Sequence, residues 1–322
     1  NEVTVGLIGI FAVLILFSLG IEIGFAMAMV GFVGFAYLQT FDSALIILGR
    51  DFFDVLSSYG YTVFPLFILM GQLAFNAGIA GRLYDASHKF IGHVPGGLAM
   101  ATVAAATAFK AISGSSTATA ATFSSVAVPE MDKYGYDKKL STGVVATVGT
   151  LGVILPPSVT LILYGVITEQ SIGKLFVAGI IPGLLIALLY ILTIYAWAKI
   201  NPSIAMKSEK SSWSDRVKTL PDVVWIAVIF LLVVGGIMNG YFTPTEAGSV
   251  GFVGVAILAL ARKAGRKVSM FLHSIRETLR TSCMIFMLLA GSFILGHFIA
   301  ITYIAEGSSV CVTSLNINSY FI

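Results

Sequence analysis

Residues 97–128, GLAMATVAAATAFKAISGSSTATAATFSSVAV, decide how this chain is organised. Two arms rich in small apolar residues flank the turn Ser113-Gly114-Ser115-Ser116-Thr117. Each apolar arm holds about a dozen residues, whereas a helix needs roughly 20 to cross the hydrocarbon core. Ser, Thr and Gly favour caps and turns over helix interiors. The loops on either side, 80–96 with Arg82 and Lys89 and 130–140 with Lys133, Lys138 and Lys139, are both basic. By the positive-inside rule both are cytoplasmic, so the chain between them must return to the side it left. A re-entrant helical hairpin is predicted, with its polar tip near mid-membrane. Non-helical backbone is tolerated at that depth only where protein or a water-filled cavity covers it.

The flanking sequence supplies the membrane context. Of 322 residues, 57% are hydrophobic and 11% charged, against roughly 25% charged in an ordinary soluble domain. Runs such as FAVLILFSLG (11–20) and LLIALLYILTIYAW (184–197) do not alternate, which excludes a transmembrane barrel. Candidate spans fall near 5–20, 24–38, 59–78, 142–168, 175–198, 222–239, 247–261 and 280–305. The expected fold is an all-α polytopic membrane protein with about eight transmembrane helices plus the hairpin. Basic loops at 199–218 and 262–280 also read as cytoplasmic, and the neutral or acidic connections 39–58, 169–174 and 239–246 as external. The net charge of +3 thus reports orientation in the bilayer and gives no sign of a nucleic-acid partner. Cys283 and Cys311 make neither a disulfide framework nor a metal spacing, and Cys283 reads as a packing residue. His88, His93, His273 and His297 are scattered, so no metal is expected beyond a transported ion. The first apolar run, preceded by no basic segment, reads as a retained span rather than a cleaved signal.

A second irregularity follows the hairpin in VATVGTLGVILPPSVTLILYGVIT (145–168). Pro156 and Pro157 each lack a backbone donor, and with Gly149 and Gly152 upstream they are expected to break the helix near its middle. Freed carbonyls suit a hard cation, and the N-terminus of a half-helix presents a positive dipole to an anion. A broken helix beside a re-entrant tip is the layout of secondary transporters that bind near the midplane.

At these residues the chain resembles a known family. AISGSSTATAATFSSVAVPEMDKYGYDKK (111–139), VGTLGVILPPSVTLILYG (148–165) and YFTPTEAG (241–248) are similar to the large, DctM-like membrane subunit of TRAP (tripartite ATP-independent periplasmic) transporters. The resemblance covers roughly residues 5 to 300. It implies a Na⁺-coupled symporter of the bacterial inner membrane that imports an organic acid, often a carboxylate, by an elevator motion. The implied partners are a small DctQ-like membrane subunit and a DctP-like periplasmic substrate-binding protein; the coupling ion is Na⁺, with no other cofactor. Carried over by position, Ser113, Gly114, Ser115, Gly149, Gly152 and Pro156 would surround Na⁺. Ser115, Ser116, Thr117, Lys110, Pro157 and Ser158 would lie on the substrate side. The resemblance divides the chain into scaffold helices at 1–96, a transport-domain half at 97–168, scaffold and connecting helices at 169–305, and an atypical polar tail at 306–322. The family carries a second hairpin and a second broken helix that are not found in this sequence, so the end of the chain reads as a C-terminal truncation, a divergent end or a frameshifted tail, and the rest as half of an inverted-repeat transporter.

Lys110, three residues before the tip, departs from the small or apolar residue expected there. An intramembrane lysine is a functional candidate by default. It either pairs with a substrate carboxylate or finds a nearby carbonyl or polar cavity. Thr119, Thr122, Ser124 and Ser125 read as small-residue helix packing, and Gln72 and Asn76 as inter-helix hydrogen bonding. Glu246 in TPTEAG reads as a helix-start cap. Neither HExxH nor GxSxG occurs, which argues against an enzyme. A channel would use a continuous pore rather than a hairpin and a break. The remaining alternative is a non-transporting structural membrane subunit.

Overall fold

The computed structural model describes residues 2–205, 208, 210–261, 267–304 and 306, without the side chains of Thr117 and Lys267. The helices are α1 (Glu2–Ser18), α2 (Ile23–Leu38), α3 (Phe41–Ser57), α4 (Val63–Asn76), α5 (Ile79–Ile91), α6 (Gly97–Lys110), α7 (Ser116–Lys133), α8 (Lys138–Ile154), α9 (Val159–Ile167), α10 (Ile172–Ile200), α11 (Trp213–Met238), α12 (Pro244–Ala261) and α13 (Lys267–Ile301). Among the described residues there is no strand, and the polytopic all-α class expected from the sequence holds.

Among the described residues, five stretches are long and apolar enough to cross a membrane: Lys138–Ile167, Ile172–Ile200, Trp213–Met238, Pro244–Ala261 and Val268–Ile301. A sixth arises if Phe41–Ser57 and Tyr59–Asn76 count as one bent span. This is fewer than the sequence suggested, because α1 and α2, although apolar, are only 17 and 16 residues long. A full crossing takes about 20. Leu188, Leu192 and Leu231 on α10 and α11 are exposed, as a hydrocarbon solvent allows and water would not.

The described helices group into two units. In the first, residues 2–61 with 280–304, glycines bring α2 onto α13. A Cβ on Gly31 would sit 2.7 Å from the Leu295 nitrogen, and one on Gly24 would sit 2.9 Å from Leu288 Cα. Small residues of this kind let membrane helices pack backbone to backbone. The segment 39–58, expected as a connection, is largely helix α3. Its buried residues Ala44, Asp51 and Val55 recur at helical spacing, and the Thr40 hydroxyl caps it by accepting from Ser43 N at 3.2 Å. The acidic residues that made it look like a loop lie on an amphipathic helix, where buried Asp51 meets His297 Nε2 at 3.4 Å. Cys283, expected as a packing residue, is exposed, because α13 turns that position outward.

The second unit, Thr62–Leu279, holds the hairpin and the broken helix. Phe67 of α4 and Phe176 of α10, both fully buried, meet edge to face at 6.3 Å. Asn76 Nδ2 donates to Ser274 Oγ of α13 at 2.8 Å, the inter-helix use its sequence position suggested. The basic loop 80–96 is mostly the amphipathic helix α5, which buries Leu83, Tyr84 and Ala86. At the start of α12, Glu246 Oε2 accepts from Thr243 N at 2.8 Å while Thr243 Oγ1 accepts from Glu246 N at 3.3 Å. This reciprocal pair is a capping box and accounts for Glu246 structurally.

Candidate functional site

Helices α6 and α7 are the arms of the expected hairpin, and neither is among the helices long and apolar enough to cross a membrane. α6 begins after Gly96, whose φ of 73° lies in the left-handed region that glycine tolerates. The first amides of a helix have no intrahelical acceptor; here Leu98 N donates to the Tyr136 hydroxyl at 3.2 Å. Tyr136 is brought there by the end of α7. Gly135 at φ 69° lets Tyr136 N reach the Met131 carbonyl at 3.0 Å and Gly135 N reach the Asp132 carbonyl at 3.0 Å. This is a Schellman motif. The two arms are also joined by Phe109 and Phe123, fully buried and edge to face at 6.2 Å. Such a pair contributes about 0.5–1.5 kcal/mol beyond its buried area.

Between the arms, residues 111–114 form the turn and Ser115 caps α7, its Oγ accepting from Ala118 N at 3.2 Å. The Ser115 carbonyl accepts from Thr119 Oγ1 at 2.9 Å and from Lys110 Nζ at 2.6 Å. Lys110 is completely buried. Of the two partners considered for it, a backbone carbonyl is therefore the one within this chain. Ser113, also fully buried, faces α4: a Cβ on Gly71 would lie 3.3 Å from its Oγ, which has no hydrogen-bond partner.

The broken helix is α8 and α9, interrupted at Leu155, Pro156, Pro157 and Ser158. Gly149 and Gly152 do not themselves interrupt it; α8 continues through both to Ile154, and the prolines end it. The glycines instead admit the hairpin. A Cβ on Gly149 would lie 3.3 Å from Ala120 Cβ and 3.7 Å from the Ser116 carbonyl oxygen. One on Gly152 would fall on the Lys110 ammonium and 2.6 Å from Ser116 Oγ. Ser158, fully buried, caps α9 by accepting from Leu161 N at 3.4 Å.

The tip meets the break through Gly114. A Cβ there would sit 3.5 Å from the Pro157 carbonyl oxygen and 3.7 Å from Val159 N. The starts of α7 and α9 are thus neighbours, and their dipoles put partial positive charge at one corner. Lys110, Gly114, Ser115, Ser116, Gly149, Gly152, Pro157 and Ser158 gather around this junction, whereas Ser113 turns toward α4. The Thr117 side chain lies outside the described residues. Pro156 lines an apolar cavity of about 240 Å³ with Ala111, Leu155, Ile180 and Phe230. Sequence reasoning missed Tyr136 and Gly71 as positioning residues. The Gly135-Tyr136 pair was visible in the sequence, but nothing local tied it to the start of α6.

Residues 8–322 match the family described as the DctM component of tripartite ATP-independent periplasmic transporters. The C4-dicarboxylate TRAP transporter large permease protein DctM of Pseudomonas aeruginosa is 33% identical over 273 residues, covering 85% of this chain and 64% of that protein. The isethionate TRAP transporter permease protein DctMQ of Oleidesulfovibrio alaskensis is 33% identical over 301 residues, 92% of this chain and 46% of that protein. The ectoine/5-hydroxyectoine TRAP transporter large permease protein UehC of Ruegeria pomeroyi is 36% identical over 185 residues, 58% of this chain and 43% of that protein. The chain therefore spans between about two fifths and two thirds of the length of these relatives. They are permeases rather than enzymes, and multi-pass proteins of the inner membrane; the apolar helices here are suited to spanning a membrane. By a match that runs from residue 8 to residue 322, the chain belongs to the DctM component family of tripartite ATP-independent periplasmic transporters.

Proposed function

We propose that this chain is part of the large membrane subunit of a Na⁺-coupled TRAP transporter that imports an organic acid. A periplasmic binding protein delivers the acid, and a small membrane subunit completes the membrane part. The observation that carries this reading is the junction of tip and break. Two capped helix starts, at Ser115 and Ser158, converge beside Gly114. Helix N-termini favour anions, and backbone carbonyls and hydroxyls favour a hard cation. In this reading Gly114, Ser115, Gly149 and Gly152, which line the junction, serve Na⁺, while Ser113 and Pro156, carried over from the resemblance, face α4 and an apolar cavity instead. Ser115, Ser116, Thr117, Pro157 and Ser158 serve the anion, with Lys110 as the only charged side chain of 97–128. Relatives named for C4-dicarboxylates and isethionate point to an organic acid.

In this mechanism Na⁺ at the junction pre-organises the anion site, and the loaded hairpin and broken helix then move across the membrane as an elevator against the remaining helices. A ligand shifts such an equilibrium only by its preference between states, so Na⁺ and substrate must each tighten the other equally. The test is uptake of a panel of organic acids into vesicles holding both membrane subunits, with the binding protein outside. An inward Na⁺ gradient is expected to drive uptake. Equal uptake in K⁺ overturns sodium coupling. No uptake of any acid with all three parts present is the result expected of a non-transporting structural subunit.

A further inference from the structure

Lys110 ends α6 with its side chain completely buried, yet among the described residues no carboxylate pairs with it. A buried charge needs compensation from hydrogen bonds or a counter-charge. Here the ammonium donates to the Ser115 carbonyl at 2.6 Å, at the short end of charge-assisted hydrogen bonds, and packs on Gly152 beside Ser116 Oγ. Gly152, against which the ammonium packs, has a carbonyl whose helical donor would be the N–H of residue 156, a proline. The lysine is thus held where arm, tip and broken helix meet, and its compensation comes from the Ser115 carbonyl, with Ser116 Oγ beside it. Those are also the ligands a hard cation takes. Two positive charges within a few ångströms in a low-dielectric site repel strongly, so the corner holds one.

We infer that the Lys110 ammonium is a tethered competitor for the cation position at the hairpin tip, occupied in alternation by the charged lysine and by Na⁺. This rests on the proposed transport reading in one respect, that the junction takes a coupling cation. A tethered group acts at high effective concentration. The lysine therefore lowers the apparent Na⁺ affinity by keeping the free site a minor fraction of the population. When Na⁺ enters, the displaced ammonium becomes available to an anion arriving at the same corner.

The test is hydrogen exchange of the peptide covering residues 113–119, where Ala118 N and Thr119 N bond to Ser115. The purified protein is titrated with Na⁺, with choline replacing it at constant ionic strength. Lys110→Met is expected to gain tip protection at a half-saturating Na⁺ at least about tenfold lower than the wild type. Lys110→Gln, which keeps a donor but not the charge, is expected to follow it and carries the test alone if the Met variant does not fold. Superimposable titrations overturn the competition and leave sodium coupling standing. A tip that ignores Na⁺ in the uncharged variants overturns both the competition and this corner as a sodium position. Sodium-driven uptake in vesicles reports the transport reading separately.

Discussion

The Ser158 hydroxyl donates to the Val153 carbonyl at 2.7 Å across the break between α8 and α9. In an unbroken helix that carbonyl would accept from the N–H of residue 157, which is a proline. One serine thus repairs the backbone bond removed by Pro157 and, by accepting from Leu161 N at 3.4 Å, starts the next helix. The break is a built element in which Val153 O, the carbonyl that Pro157 would otherwise leave without a donor, is paired.

Ser158→Ala removes both services at once. Leaving the part-buried Val153 carbonyl without a donor costs about 1–3 kcal/mol and losing an N-cap typically about 1 kcal/mol. Thermal unfolding in detergent is expected to show a lower midpoint for Ser158→Ala, with Ser158→Thr recovering most of the difference. An alanine variant as stable as the wild type would mean that another donor takes over the Val153 carbonyl.

Gly152 is occupied on its open side by the Lys110 ammonium and Ser116 Oγ. Gly152→Ala is therefore expected to destabilise the protein by about 1–3 kcal/mol, the usual range for overpacking, despite the better helix propensity of alanine. Shortening the lysine should relieve the clash. The double variant Gly152→Ala with Lys110→Ala is then predicted to be more stable than the sum of the single changes allows, by at least about 0.5 kcal/mol. Additive effects in that cycle would show that the two residues do not share the corner.

The hairpin and the break were legible because each carries strong local chemistry. A Ser/Gly/Thr turn sits between arms too short to span, and two consecutive prolines interrupt an apolar run. Where the break falls was less legible: Gly149 and Gly152 look like helix breakers, yet both lie inside α8 and serve as contact points for the hairpin. α3 was hidden for the opposite reason. Asp42, Asp51 and Asp54 gave 39–58 the composition of an external loop, although Ala44, Asp51 and Val55 already have the spacing of one helical face. The partner of Lys110 was undetermined because it is a backbone carbonyl, and carbonyls have no sequence signature.

Tyr136 closes the base of the hairpin from outside it. Its hydroxyl is the acceptor for the buried Leu98 amide, a group with no partner inside α6. Tyr136→Phe keeps the ring and removes only that acceptor. The expected loss is about 1–3 kcal/mol, seen as a lower unfolding midpoint, together with faster exchange of the first α6 amides. Unchanged exchange at Leu98 would assign the tyrosine to packing alone.

His88 lies on α5, outside the membrane-spanning helices, with Nε2 3.2 Å from Ser208 Oγ. Burial lowers its pKa below the usual 6.5, and Lys89 adds to this, while Glu130 and Asp85 pull in the opposite direction without cancelling it. The unfolded chain therefore binds this proton more readily than the folded one. The sign follows from linkage: stability rises with pH wherever the unfolded state holds more protons. The His88 contribution is intact above the unfolded value of 6.5 and is lost progressively as the pH falls below it, until the folded imidazole also takes its proton. Unfolding midpoints measured from neutral to mildly acidic pH should decline in the wild type and decline less in His88→Gln, which retains a polar group for Ser208 but does not titrate. Parallel declines in the two proteins would move the acid sensitivity to another group.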